Sequence, residues 1–369
     1  MVEVLPERPR KGRGVIGNPS GRYEPYARVG VDDGWPGADS GAHYGPAGEA
    51  GPAPLRTTVE VDTSRTVIAK NASPDLPFER SINPYRGCEH GCVYCFARPG
   101  HAYLGLSPGL DFETRLFAKP RAAERLVAEL AKPSYRPKVI ALGTNTDPYQ
   151  PIERNFEITR SILEVLWRAR HPVAIVTKSN LVLRDLDILA PMAAAKLARV
   201  SVSVTTLEPT LARKLEPRAP RPNLRLETIR GLADAGIPTT VLAAPMIPAL
   251  NDDELEAILE AAAAAGAGSA GYILLRLPLE IKALFIEWLE AHFPARKNRV
   301  LGLLRGMRGG RLYDPAWGTR MTGQGVYADL LARRFELASK RLGLNRADWD
   351  LDTTQFVRPT PGGEQLALF

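Results

Sequence analysis

Cysteine is nearly absent from this chain, with three residues in 369. Three thiols cannot build a disulfide framework, and an odd number argues further against a secreted scaffold. Long apolar runs are missing as well. The longest uncharged one, Ala261 to Leu275 between Glu260 and Arg276, is broken by glycine and serine and falls short of the roughly 20 residues that span a bilayer. The N-terminal MVEVLPERPRKGRG has basic residues but no apolar segment behind them, so no leader or anchor pattern is read there and a cytoplasmic location is expected. Neither sign of charge dominates: Lys and Arg number 48 against 41 Asp and Glu, a net +7. With 44% hydrophobic and 24% charged residues, disordered, collagenous and coiled-coil classes are excluded.

What is present is unevenly placed. Residues 1–56 hold 11 Gly and 8 Pro with few apolar clusters, the composition of a disordered arm. From 57 to 295 short apolar runs alternate with helical patterns. Candidate strands are Val139 to Gly143, Val173 to Thr177, Val200 to Thr205, Thr239 to Ala244 and Tyr272 to Arg276, with a weaker first one near Ser81 to Arg86. Helical periodicity covers Arg121 to Leu130, Asn155 to Arg168, Asp187 to Lys196, Asn223 to Ala235, Asp253 to Ala265 and Ala283 to His292. Six strand–helix units predict an α/β partial barrel whose chemistry sits beyond the strand C-terminal ends. Residues 296–346 carry 12 Lys and Arg against 3 Asp and Glu, a net +9 that exceeds the whole chain's +7, and are expected to form a basic extension with a helix at Val326 to Leu342. Its cations interleave with Tyr313, Trp317 and Tyr327, which suits a polyanion with stackable bases; a solvated helical surface closing the barrel fits equally. Residues 347–369 are expected to be a flexible tail.

All three cysteines fall within eight residues, Cys88-Glu-His-Gly-Cys92-Val-Tyr-Cys95. Three chemistries fit such a loop. Structural zinc needs a fourth ligand, which His90 offers. A disulfide plus a free thiol suits a cytosolic chain poorly. A 4Fe-4S cluster on three thiolates leaves one iron open for catalysis.

The spacing, with aromatic Tyr94 just before the last cysteine, resembles the C-x3-C-x-aromatic-C signature of the radical S-adenosylmethionine superfamily. Gly143-Thr-Asn-Thr-Asp-Pro-Tyr-Gln-Pro151, Thr177-Lys-Ser179 and Ser201-Val-Ser-Val-Thr205 follow on successive strands. Together they resemble the spore photoproduct lyase, or DNA repair photolyase-like, branch over roughly residues 80–290. That resemblance implies a partial (β/α)6 TIM-like barrel, a 4Fe-4S cluster on Cys88, Cys92 and Cys95, and S-adenosyl-L-methionine at the open iron. Electron transfer would cleave the sulfonium to a 5′-deoxyadenosyl radical. It implies further that Thr146 and Asp147 hold the methionyl amine, Lys178 its carboxylate and Ser203 the ribose, with Tyr94 on adenine. The implied substrate is nucleic acid, DNA favoured, and the implied electron donor is a flavodoxin or ferredoxin. The branch's extra hydrogen-donor cysteine is replaced by Asn145; Tyr149 and Tyr272 are candidate relays. Two other classes remain open: a non-catalytic iron–sulfur protein sensing redox state on nucleic acid, and a radical enzyme acting on RNA, protein or a small molecule.

The chain ends Gln365-Leu-Ala-Leu-Phe369 after Pro359-Thr-Pro-Gly-Gly363. This resembles the Q-L-x-L-F peptide with which bacterial repair proteins dock on the DNA sliding clamp, Gln365 making a polar contact and Leu366, Leu368 and Phe369 anchoring.

Overall fold

Apolar runs too short for helices and flanked by amphipathic segments should become buried parallel strands, and they do. The computed structural model describes residues 9–27, 43–44, 50–51, 55–347 and 350–360. Its main sheet contains β2 (Ile68–Lys70), β3 (Arg80–Ile82), β6 (Ile140–Leu142), β7 (Val173–Thr177), β8 (Ala198–Ser203), β9 (Thr239–Met246) and β10 (Ser269–Leu274). The order is β10-β9-β8-β7-β6-β3-β2, all neighbours parallel except β2 with β3. The six parallel strands follow one another in space as in sequence. Without a reversal, right-handed crossovers place every helix on one face, which gives a partial barrel rather than a doubly wound sheet. A smaller sheet pairs β1 (Thr58–Val61), β5 (Arg115–Ala118) and β4 (Tyr85–Arg86), and β4 leads straight into the cysteine loop.

Crossovers are α1 (Ala122–Leu130), α2 (Ile158–Arg168), α3 (Leu186–Ala194), α4 (Pro222–Asp234) and α5 (Leu255–Ala264), followed by α6 (Ile281–His292), α7 (Pro294–Gly306) and α8 (Val326–Leu342). Alternation along the strands separates two faces. Val173, Ile175, Val200, Val202, Val241 and Ala243 are buried, whereas Ala174, Val176, Ser201, Thr240 and Leu242 are half-buried. One face is sealed under helices and the other lines an accessible interior. One apolar core extends from Val15 through the strands to Leu331 and Leu344.

Several boundaries differ from the sequence reading for identifiable reasons. Pro84 lacks an N–H and splits the first strand into β3 and β4. Glu157 takes φ 49° and breaks the helix expected over Asn155 to Arg168. There the carboxylate of Glu153 accepts the Thr159 N–H at 3.0 Å and caps α2. Helix α7 was not anticipated, since its cations mask any apolar period. Of the arm expected to be disordered over residues 1–56, residues 13–17 and 21 are buried: the Gly14 and Val15 N–H groups donate to the buried Glu113 carboxylate at 2.9 and 3.1 Å. Of the tail expected to be flexible, residues 350–360 run along the helix C-terminal ends. Val357 N–H donates to the Ala169 carbonyl at 2.9 Å, and Phe356 packs on Tyr135 and His171. The basic extension is partly neutralised, mostly by carboxylates outside it, as Lys297, Arg320, Arg333, Arg334 and Arg341 form ion pairs. Two of these, to Glu256 and Glu260, fasten α8 onto α5.

Two buried histidines make stability pH-dependent. Burial lowers both His101 and His171 to about 4. The unfolded chain therefore takes up protons near pH 6.5 that the folded chain refuses until about pH 4, so stability falls as pH drops through that window. About 2 kcal/mol per histidine should be lost between pH 6.5 and 5. Urea midpoints across that range check this, and a flat profile would contradict it.

Candidate functional site

The cysteine loop lies beyond the C-terminal end of β3, where barrel folds place their chemistry. Gly87 and Gly91 adopt φ 73° and 68°, letting the backbone turn sharply before Cys88 and before Cys92. A Cβ on Gly91 would stand 2.8 Å from Glu113 Oε2. Cys88 and Cys92 are buried and Cys95 is half-buried; none is oxidised to a disulfide. Burial pushes both the Cys88 and Cys92 thiols up, and the neighbouring cysteines add to it. Lys178 opposes the rise at Cys92. The thiols thus sense one another, yet among the described residues no three His, Cys, Asp or Glu side chains converge on a point that could hold one metal ion. A structural zinc site takes four ligands at about 2.0–2.3 Å from one centre, and the loop itself offers three thiols and His90. Three thiols that influence one another within one loop suit a polynuclear cluster, whose irons take one thiolate each.

Three buried side chains hold this loop. Arg98, inaccessible to solvent, donates through Nε to the Cys92 carbonyl at 2.9 Å, through Nη1 to the Pro108 and Gly109 carbonyls, and through Nη2 to Glu113 Oε1 at 2.5 Å. Glu113 takes that guanidinium and the two N–H groups of the N-terminal segment. Gln150 accepts the Glu89 N–H at 2.9 Å and donates to the Gly87 carbonyl at 3.1 Å, tying the Gly143–Pro151 motif to the cysteine loop.

Asp147 is brought to the same place. Oδ1 accepts the Tyr149 N–H at 2.9 Å and the Thr177 hydroxyl at 2.7 Å. Oδ2 accepts the Lys178 N–H at 2.8 Å and lies 3.4 Å from His90 Nδ1. Burial works to raise its pKa, but His90, Thr177 and the Lys178 N–H outweigh it and hold the carboxyl down at about 2. Both oxygens already accept hydrogen bonds from the chain, at the residue expected to hold an amine. Thr146 is buried, its hydroxyl donating to the Tyr85 carbonyl at 3.0 Å.

Lys178 Nζ stands 5.8 Å from the Tyr94 ring centroid and makes no ion pair among the described residues. The Tyr94 hydroxyl donates to the buried Glu216, which also receives the Thr205 hydroxyl at 2.6 Å and the Arg225 guanidinium. Burial raises the Glu216 pKa despite Arg225. Arg225 reaches on to the Ser203 carbonyl at 3.1 Å. Tyr94, Thr205, Glu216, Arg225 and the Ser203 carbonyl are thereby joined in one hydrogen-bond network, with Lys178 beside the Tyr94 ring. Sequence reasoning missed Arg98, Glu113, Glu216 and Arg225, which carry no motif spacing; Gln150 stood inside a quoted motif.

The proposed relays fare differently. Tyr149 is wholly buried with its hydroxyl on Asp185 at 3.0 Å. Tyr272 pairs in register with the helix-facing Ala243 and packs on Phe335 of α8, so it faces away from the barrel interior. Asn145 is exposed and anchored through its N–H on Asn83 at 3.0 Å. Residues 361–369, with Gln365, Leu366, Leu368 and Phe369, lie outside the described residues. No helix among the described residues is long and apolar enough to cross a membrane.

Comparison with known proteins places this site in context. A model of the Radical SAM superfamily matches residues 82–262. An uncharacterized protein of Mycobacterium tuberculosis is 39% identical over 232 residues, 62% of this chain and 68% of its own length. An uncharacterized protein of Methanocaldococcus jannaschii is 29% identical over 173 residues, 47% of this chain and 62% of its own. Among solved structures, spore photoproduct lyase complexed with dinucleoside spore photoproduct superposes with a TM-score of 0.53 at 16% identity, covering 78% of this chain and 80% of that one. A variant of that lyase with bound AdoMet and the same dinucleoside gives 0.50 at 17% identity, covering 77% of each. At such identities the likeness is one of fold.

Proposed function

Because this chain belongs to the radical SAM superfamily and is an enzyme of that kind, we propose that Cys88, Cys92 and Cys95 hold a 4Fe-4S cluster, that S-adenosylmethionine binds beside it, and that the substrate is nucleic acid. The observation that carries the cofactor reading is the loop itself: three thiols within eight residues that influence one another, clamped by Arg98, Glu113 and Gln150. When bound, the cluster supplies one electron to the sulfonium, whose cleavage yields methionine and a 5′-deoxyadenosyl radical. The chain's own residues bind and orient. Lys178, a cation with no carboxylate partner among the described residues, receives the methionyl carboxylate. Thr146 meets the amine, Ser203 the ribose, and Tyr94, its hydroxyl fixed by Glu216, offers a ring face to adenine. Asp147 acts as a positioning residue that sets His90 and the Lys178 backbone.

Substituting Lys178 by Met tests the placement. The KM for S-adenosylmethionine should rise at least tenfold while iron content stays at the wild-type level; an unchanged KM would remove Lys178 from the site.

The nucleic-acid reading is supported by the fold shared with a lyase solved with a dinucleoside spore photoproduct and by cations of residues 296–346 that make no ion pair among the described residues, such as Arg296, Arg299 and Arg311. With Asn145 in place of a donor thiol and every cysteine assigned to the cluster, the quenching hydrogen comes from outside the thiols of this chain. Recruitment through Gln365, Leu366, Leu368 and Phe369 to a sliding clamp belongs to the same proposal. Deleting residues 365–369 should abolish clamp binding in a pull-down with purified clamp and leave cofactor cleavage unaltered; retained binding would reject that part.

A further inference from the structure

The main sheet is open, since β2 and β10 are its two edges. Side chains, not strand hydrogen bonds, span the gap next to the cysteine loop. Arg276, two residues past β10, sets its guanidinium 4.6 Å from the ring centroid of Phe96, the residue that follows Cys95. Arg22 pairs with Glu280 at 2.5 Å and lies 5.5 and 5.7 Å from the rings of Tyr23 and Tyr103, which stand 5.2 Å apart.

Such a rim has no structural need for exposed rings, yet Phe96, Tyr23 and Tyr103 are 45%, 57% and 70% exposed. Aromatic area left facing water beside cations is the composition of surfaces that stack bases and follow a backbone. Arg276 sharpens this. It is half-buried against the Phe96 ring, with the cations Arg308 and Arg320 as well as Tyr313 and Asp75 in its surroundings. Among the described residues its guanidinium makes no hydrogen bond, and a partly desolvated cation set beside two others favours an anion. Next to it, Arg308 is buried with an Nε that has no hydrogen-bond partner.

We propose that this rim receives an unpaired stretch of nucleic acid, with Phe96, Tyr103 and Tyr23 stacking its bases and Arg276 holding a phosphate between them. This rests on the nucleic-acid reading and names the part of the molecule that delivers it. Arg22 is a positioning residue, keeping the two tyrosines together through Glu280. Stacking admits any base but requires it to be unstacked from a partner strand, so the rim selects single-stranded or extruded nucleotides over intact duplex.

The test is fluorescence anisotropy with the full chain, cluster-loaded, and a labelled ten-nucleotide DNA single strand at several salt concentrations. Tyr103→Ala should weaken binding about tenfold, and Tyr103→Phe should restore it. Arg276→Gln should weaken binding about tenfold and lower the salt slope by about one. Arg341→Gln, which removes a cation paired with Glu260 on the far side of α5, should change nothing. Thermal midpoints confirm that each variant is folded. If the wild type binds and Tyr103→Ala and Arg276→Gln bind equally well, the rim is overturned and the nucleic-acid reading stands. A duplex bound as tightly as the single strand overturns the stacking role. If the wild type binds neither, both readings fall, and binding only of an acidic peptide overturns them in favour of a protein substrate.

Discussion

Alanine at any one of Cys88, Cys92 or Cys95 is expected to abolish cluster assembly and with it all cleavage of S-adenosylmethionine, a loss beyond the roughly hundredfold that removal of an outer-shell partner typically causes. The physical reason lies in the thiols' surroundings. Burial pushes Cys88 and Cys92 strongly toward the neutral form, so only the positive irons make thiolates stable there. Two remaining ligands would have to bear the same desolvation with one fewer iron bond. Iron and sulfide analysis, with the visible absorption of the reconstituted variants, reads the outcome. A variant that retains full iron and cleavage would remove that cysteine from the ligand set.

Replacing Glu113 by alanine is expected to have the largest effect on stability, about 3–5 kcal/mol, because it leaves the inaccessible Arg98 guanidinium without its counter-charge. It also strands the Gly14 and Val15 N–H groups. The cysteine loop should loosen with it, since Arg98 carries the Cys92 carbonyl. Urea denaturation measures the first effect and iron uptake the second. The double variant Arg98→Met with Glu113→Leu should be more stable than Glu113→Ala alone, as apolar side chains of similar size leave no buried charge. Equal stability of Glu113→Ala and wild type would show that the pair does not anchor the loop.

The parts of this molecule that could be read in advance share one property: their signal is local. Val173 to Thr177 is a strand in the structure as in the sequence, because five apolar or β-branched residues between turn signals have no other good conformation. Val326 to Leu342 likewise appears with both ends as expected, its C-terminus closed by Gly343 at φ 70°. The cysteines were legible because spacing is itself their geometry. Arg98, Glu113, Glu216 and Arg225 were not, since a buried ion pair depends on which distant segments meet, and neither residue type nor interval announces it. Asp147 shows the intermediate case. Its position beside the loop followed from its strand-end motif, while its engagement by Thr177, Lys178 and His90 depended on neighbours that only the fold supplies. The glycine-rich N-terminal segment misled for a related reason: Gly14 is there because a Cβ would stand 1.6 Å from the Gly91 carbonyl oxygen, so the composition of a loose arm is in part that of a tightly packed strap.

The basic extension taught the same lesson about charge. A net +9 over residues 296–346 reads as a polyanion site, but ion pairs to Glu256, Glu260, Asp75 and Glu290 neutralise part of it. The cation best placed for a ligand, Arg276, lies just outside that segment.

The loop of Cys88, Cys92 and Cys95 is proposed to hold a cluster that cleaves S-adenosylmethionine. Its most direct measurement is the yield of 5′-deoxyadenosine from the anaerobically reconstituted, dithionite-reduced protein given S-adenosylmethionine, with Cys92→Ala alongside. Wild-type protein carrying about four irons per chain should form 5′-deoxyadenosine and methionine, and the variant neither. Reconstituted protein that holds the iron yet yields no 5′-deoxyadenosine, with or without single-stranded nucleic acid, would contradict the account.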